Sequence, residues 1–274
     1  MKYLWLLTGL FLFFGQLVHS QTLKDDEQEL FILFEQLNHE RDDEGKDSVN
    51  SEITRILSER LKHELSFDYH FRSLKKLGIV KSPNRLLKLY TWNLFYADGT
   101  YKYFGFVQYR PKKRKAPRLY RLHDKSGEIE NSQHTELTPQ NWYGALYYDV
   151  AEKKYNRETI YTLMGWDGFD DFSNKKIIDV LRITNDGTLQ FGMPIISYQD
   201  KIYHRLIFEF SEQSKMNLQY DAHYDMIIWD HLLPTSPSLE GQYEYYGPDF
   251  TQDGLFFEKN KWNYYPDIKP KNRN

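Results

Sequence analysis

Residues 86–110 read LLKLYTWNLFYADGTYKYFGFVQYR. Two runs dense in aromatic and branched side chains, Leu86–Tyr96 and Tyr101–Arg110, flank the tetrapeptide Ala97-Asp98-Gly99-Thr100. An Asp-Gly pair tolerates the positive φ that a tight hairpin demands, so this stretch predicts two antiparallel strands. The segment Tyr101–Val107 is apolar on both strand faces, as expected of a central strand covered on each side. The same punctuation recurs downstream at Asp124–Gly127, Glu152–Lys154, Asn185–Thr188, Gln199–Lys201, Gln252–Gly254 and Glu258–Lys261. It predicts the further strand pairs Ile177–Thr184 with Thr188–Met193 and Arg205–Phe210 with Lys215–Tyr220. Roughly ten strands joined locally give antiparallel meanders, closing as a sandwich or as a curved or partly closed sheet. The 22 Tyr, 18 Phe and 6 Trp supply the bulk and the β-propensity such a core needs.

Upstream the period changes. Leu30, Leu33, Phe34 and Leu37 recur at spacings of three and four, which places them on one helix face. The charged run Glu40–Asp47 ends that helix. Ser51 is the candidate cap of a second, with Ile53, Ile56, Leu57, Leu61 and Leu65 as its stripe. A third short helix is expected over Phe67–Leu77, stopping at Gly78. The fold class is therefore α+β: a helical N-terminal region, residues 21–85, and an antiparallel β-rich domain, residues 86–274.

The first twenty residues, MKYLWLLTGLFLFFGQLVHS, have a positive start, an apolar middle and small residues before Gln21. That is the layout of a secretory signal peptide cut ahead of Gln21, which predicts a periplasmic or secreted protein. No later stretch is apolar for long enough to be a membrane helix. Cysteine is absent and no Asn-x-Ser/Thr acceptor occurs. Both features favour a bacterial envelope over a eukaryotic secretory route. A net charge of −3 gives no reason to expect a nucleic-acid partner. The basic loop Arg110–Arg118 reads as a solvated connection, with phosphate-bearing lipid or acidic polysaccharide as its alternative contact.

Several constellations carry oxygen and nitrogen donors. Gly165–Asn174 gathers Asp167, Asp170, Asp171 and Asn174 in one loop. Its plain reading is a turn whose side chains cap their own backbone; the other is a calcium site on those four residues. Asp221-Ala222-His223-Tyr224-Asp225 reads as a hairpin loop before it reads as a metal site. Asp230-His231 and the serines Ser236 and Ser238 lack the nucleophile elbow of a hydrolase. The stretch from Glu240 to Phe250 mixes acids with aromatics. Tyr245, Tyr246 and Trp262, together with Trp166, form a candidate platform for sugar faces, with Asp167 and Asp249 as hydrogen-bonding groups. Glu240 and Glu244 are the alternative, a glycosidase acid pair.

Gly165-Trp166-Asp167-Gly168, the Met226–Leu232 strand, and Pro237–Gly241 with Tyr245–Asp249 resemble a family of uncharacterised exported proteins from Bacteroidetes-type bacteria. The resemblance spans Tyr143–Arg273. It implies an envelope location and assigns no activity. The expected role is non-enzymatic: binding a glycan or an envelope protein, or serving an envelope structure. The competing expectation is a hydrolase of polysaccharide or another envelope polymer, with acids drawn from Asp167–Asp171 and Glu240–Asp249 converging in one cleft.

Overall fold

A computed structural model describes residues 23–111 and 116–269. The signal-peptide reading and the middle of the basic loop fall outside these residues. One compact unit takes the described residues up to Leu77 and those between Gln108 and Tyr120; the other takes Gly78–Val107 and the described residues from Arg121 onward.

The first unit is built on two helices. α1 covers residues 23–39 and buries Leu23, Leu30 and Phe34. α2 runs Asp43–Arg60 and buries Val49, Ile53, Ile56 and Leu57. Its cap is Asp42, whose carboxylate accepts from the Gly45 amide at 3.0 Å. Ser51 is not the cap: it lies inside the helix and donates to the Asp47 carbonyl at 2.8 Å. The charged run Glu40–Asp47 does end α1, and its second half opens α2, where Asp43 and Glu44 face the positive end of the helix dipole.

The expected third helix does not form. Glu64–Phe67 makes one 3₁₀ turn, and Phe71 adopts a left-handed φ of 42°. Phe67, Phe71, Leu74 and Leu77 are all buried at helical spacing, yet the backbone serves another partner. Glu27 of α1 accepts from the Tyr69 hydroxyl at 2.5 Å and from the Ser73 amide at 2.7 Å. Satisfying that nearly buried carboxylate holds 69–73 in irregular turns. In the same unit, Gln108 donates to the Leu61 carbonyl and to Ser66 Oγ, while Arg110 pairs with Asp68 at 2.8 Å.

The strands, in chain order, are β1 Gly78–Lys81, β2 Leu87–Phe95, β3 Tyr101–Tyr109, β4 Arg118–His123, β5 Leu146–Tyr155, β6 Glu158–Asp167, β7 Ser173–Ile183, β8 Leu189–Phe191, β9 Ile196–Tyr198, β10 Lys201–Tyr203, β11 Arg205–Ser211, β12 Leu218–Asp221, β13 Met226–Pro234, β14 Tyr246–Glu258 and β15 Lys261–Tyr265. Among the described residues they form open sheets with no closed barrel: β1-β2-β3-β4, β11-β7-β6-β5 with β8 beside β7, and β10-β9-β15-β14-β13-β12. The sheets are antiparallel in the main, and β15 pairs with β9 in parallel. The α+β reading holds.

The turns follow the sequence in part. Gly99 takes φ +84° between β2 and β3, and Asp98 accepts from the Thr100 amide at 3.0 Å. Gln199-Asp200 and Lys259-Asn260 supply paired positive φ values at two other hairpins. Glu152–Lys154 is not a turn: β5 continues to Tyr155, and Asn156-Arg157 carries the positive φ pair. Gln252–Gly254 also lies inside a strand, β14. There Asp253 is buried and accepts from Tyr264 at 2.9 Å and from the Asp267 amide at 3.1 Å, so its carboxylate is engaged without a turn. β11 does not pair with the segment after it. It pairs with β7, and β12 pairs with β13.

One face of β6, β7 and β11 packs on the six-stranded sheet. Ile160, Met164, Ile178, Val180, Leu206 and Phe210 meet Ile227, Trp229, Leu255 and Trp262. The indole N–H of Trp262 donates to Thr162 at 2.9 Å, satisfying the polar edge of a ring with no exposure. The opposite face of the same strands carries charge. It positions the site.

Candidate functional site

Strand register builds the centre of the site. Asp167 on β6 stands opposite Lys175 on β7, which stands opposite Glu209 on β11. Directly opposed residues share a sheet face, so the three side chains form a row across three strands. Lys175 reaches Glu209 at 3.6 Å, and Ser173 donates to the other Glu209 oxygen at 2.8 Å. Lys175 also places its ammonium over the ring of Phe169.

Asp167 is 4% exposed. It accepts from the Tyr103 hydroxyl at 2.8 Å, the Phe169 amide at 2.9 Å and the Tyr143 hydroxyl at 3.3 Å. Burial raises its pKa above the ordinary carboxylate range, against the pull of those donors. Burial beside Asp167 also pushes the Tyr103 and Tyr143 phenols far above their ordinary range. Loss of water lowers the pKa of Lys175. Gly168 follows because a Cβ there would meet the Tyr101 ring at 2.5 Å. The glycine lets the turn pass under that ring.

These groups border a cleft of about 870 Å³ in the second unit. Tyr101, Tyr103, Tyr143, Asp167, Phe169, Lys175 and Glu209 line it together with Glu240, Tyr243 and Tyr246, and Tyr198 and Tyr203 of the β9–β10 hairpin also contribute. Burial pushes the Tyr198 phenol up to about 12, so it remains a neutral hydrogen-bonding group. Tyr243 is 46% exposed and lies 5.1 Å from Tyr246, ring to ring. The Tyr246 hydroxyl accepts from the Gly241 amide at 3.0 Å, which ties the loop to the strand that follows it. The cleft thus offers flat apolar rings beside hydroxyl and carboxyl groups.

The residues singled out from the sequence separate accordingly. Asp167 and Tyr246 line the cleft, as does Glu240 of the proposed acid pair. Trp166 is half-buried and meets Tyr101 edge to face at 5.7 Å. Tyr245 is exposed in the short turn Tyr243–Tyr245, beside the cleft-lining residues. Asp249 caps its own turn, accepting from the Thr251 amide at 2.9 Å. Trp262 is a correction: it is wholly buried in the core and offers no platform.

The candidate calcium quartet does not converge. Asp170 accepts from the Phe172 and Ser173 amides, both at 2.8 Å, which is the self-capping turn. Asp171 approaches Gly99 instead. Asn174 alternates with Lys175 and falls on the opposite face of β7. Among the described residues, no three His, Cys, Asp or Glu side chains gather as metal ligands would.

The other constellations serve the backbone. Asp221 accepts from the His223 amide at 2.8 Å within its hairpin loop, and Asp225 pairs with Lys153. His231 bonds Asp253 at 2.7 Å, whereas Ser236 and Ser238 bond each other at 3.0 Å.

Lys175, Glu209, Tyr103 and Tyr143 were not singled out in the sequence. Lys175 reaches Asp167 across the β6–β7 hairpin, whereas Glu209 arrives only because β11 pairs back to β7, which no local turn signal encodes. The available hint was alternation, Ser173-Lys175-Ile177 against Arg205-Ile207-Glu209, which is weak without the register. No protein-family model, curated protein or solved structure matches this chain.

Proposed function

We propose that this chain is an exported, non-enzymatic glycan-binding protein of a bacterial envelope, working through the tyrosine-lined cleft. One observation carries the reading. Seven tyrosines from four segments line the same cleft of about 870 Å³, together with three carboxyl groups. Flat rings cover the apolar faces of a sugar, while hydroxyl and carboxyl groups take its hydroxyls. The signal-like N-terminus and the resemblance to exported Bacteroidetes-type proteins support the location. No helix among the described residues is long and apolar enough to cross a membrane.

A calorimetric titration against envelope oligosaccharides tests it. Saturable binding that weakens in Tyr243→Ala supports the reading. Absence of binding across neutral, amino and acidic sugars counts against it. A ligand at a hundred times its Kd also adds about 2.7 kcal/mol to stability, which a melting curve detects.

A second reading, polysaccharide hydrolysis, is favoured by the row itself. Asp167 and Glu209 lie two strand spacings apart, about 10 Å between backbones. An inverting glycosidase needs two carboxyl groups about 6.5–9.5 Å apart with room for a water between them. Lys175 stands between them in the row, and three donors already occupy Asp167, so binding remains the better supported function. Reducing-end analysis of the same titration samples decides between the two.

A further inference from the structure

We infer that the cleft selects amine-bearing sugars, such as deacetylated amino-sugar polymers, over neutral or acidic ones. The inference rests on the glycan-binding reading and specifies its ligand.

Charge balance comes first. Among the described residues lining the cleft, Lys175 carries the one ammonium or guanidinium, against the three carboxyls of Asp167, Glu209 and Glu240. That ammonium already lies 3.6 Å from Glu209. The donors to Asp167 are two phenols and a backbone amide, all neutral. Glu240, also in the lining, is exposed. Asp167 is buried under its donors and Glu209 is paired, so a ligand bringing positive charge meets Glu240, which no cation lining the cleft offsets, while a uronate meets repulsion.

The walls favour the same choice. A ring face attracts a cation through its quadrupole, most strongly when water is excluded. The protein provides an internal example: Lys175 lies over the Phe169 ring while pairing with a carboxylate. A ligand ammonium between Tyr243 or Tyr246 and Glu240 would use the same two kinds of partner. An N-acetyl group in that position would lose the charge.

The experiment is a calorimetric titration of the protein with three tetrasaccharides at pH 6: fully deacetylated glucosamine, N-acetylglucosamine and galacturonate. Each is run at low and at high salt. The expected result is deacetylated tetramer bound at least tenfold more tightly than the acetylated one, with galacturonate weakest. The preference should shrink at high salt and in Glu240→Gln, an exposed position whose substitution leaves the fold intact. Equal affinity for the amine and acetyl forms, or tighter binding of either other sugar, overturns the charge selection while leaving glycan binding in place. Failure of all three to bind overturns glycan binding and the selection with it.

Discussion

The hydroxyl of Tyr103 donates to Asp167 at 2.8 Å and at the same time accepts the Gly168 amide at 2.7 Å. A single phenol from β3 thus fixes both the carboxyl at the end of β6 and the turn that carries Phe169 into the cleft. Tyr103→Phe leaves the ring packed but removes both bonds. The expected loss is about 1–3 kcal/mol, the cost of stranding buried polar groups. Urea denaturation measures it, and an unchanged midpoint would show that the turn holds without the phenol.

Asp167 also sets a pH dependence. Its folded pKa is raised, so the folded state binds the proton more tightly than the unfolded chain. Its stabilising contribution is complete below the unfolded value of about 3.9 and declines as pH rises toward the folded one. Asp167→Asn removes that titration. The substitution should therefore cost more stability at pH 4 than at pH 7, by paired denaturation curves. The reverse order would mean that the carboxyl is stabilised as an anion.

Asp179 and Arg205 face each other across β7 and β11, both without exposure, with Arg205 Nε 3.2 Å from the carboxylate. The guanidinium also donates to the Thr135 carbonyl at 3.0 Å. Arg205→Ala leaves a buried acid without its cation, which should cost about 3–5 kcal/mol. The double variant Arg205→Met with Asp179→Leu should recover most of that loss, because an apolar pair carries no desolvation penalty. A double variant as unstable as the single would show that the ion pair is needed to specify the packing.

The two helix-cap assignments separate cleanly. Asp42→Ala should cost about 1 kcal/mol, while Ser51→Ala, inside the helix and exposed, should fall within about 0.5 kcal/mol of wild type. Thermal unfolding followed by circular dichroism gives both values.

The helix stripes of Leu30, Phe34, Ile53 and Leu57 were legible because period and burial coincide there. So were the Asp98-Gly99 and Lys259-Asn260 hairpins, whose φ requirements are local. Phe67, Phe71, Leu74 and Leu77 show the limit of that logic. Their spacing suits a helix and all four are buried, yet the expected helix does not form, because the demands of Glu27 are not encoded in the period. Asp253-Gly254 fails for a related reason: a strong turn signal gave way to the in-strand partners Tyr264 and His231. The site was legible only in pieces. Asp167, Glu240 and Tyr246 were visible as polar or aromatic residues, whereas Glu209 joined them through the non-local pairing of β11 with β7.

Tyr243 and Trp262 distinguish cleft from core. Trp262→Ala should destabilise by about 3–5 kcal/mol through the cavity it leaves. Tyr243→Ala should change stability by less than about 0.5 kcal/mol and raise a glycan Kd by about tenfold or more. Denaturation and titration of the same two variants provide the comparison.

The most direct test of a glycan cleft is hydrogen exchange on the protein with and without a saturating tetrasaccharide. Added protection is expected over Gly168–Phe172 and Glu240–Tyr246, the segments that bring Phe169, Glu240, Tyr243 and Tyr246 to the cleft, with little change around the buried Trp262. Protection that spares both loops, or no protection under conditions of measured binding, would contradict the placement of the glycan in this cleft.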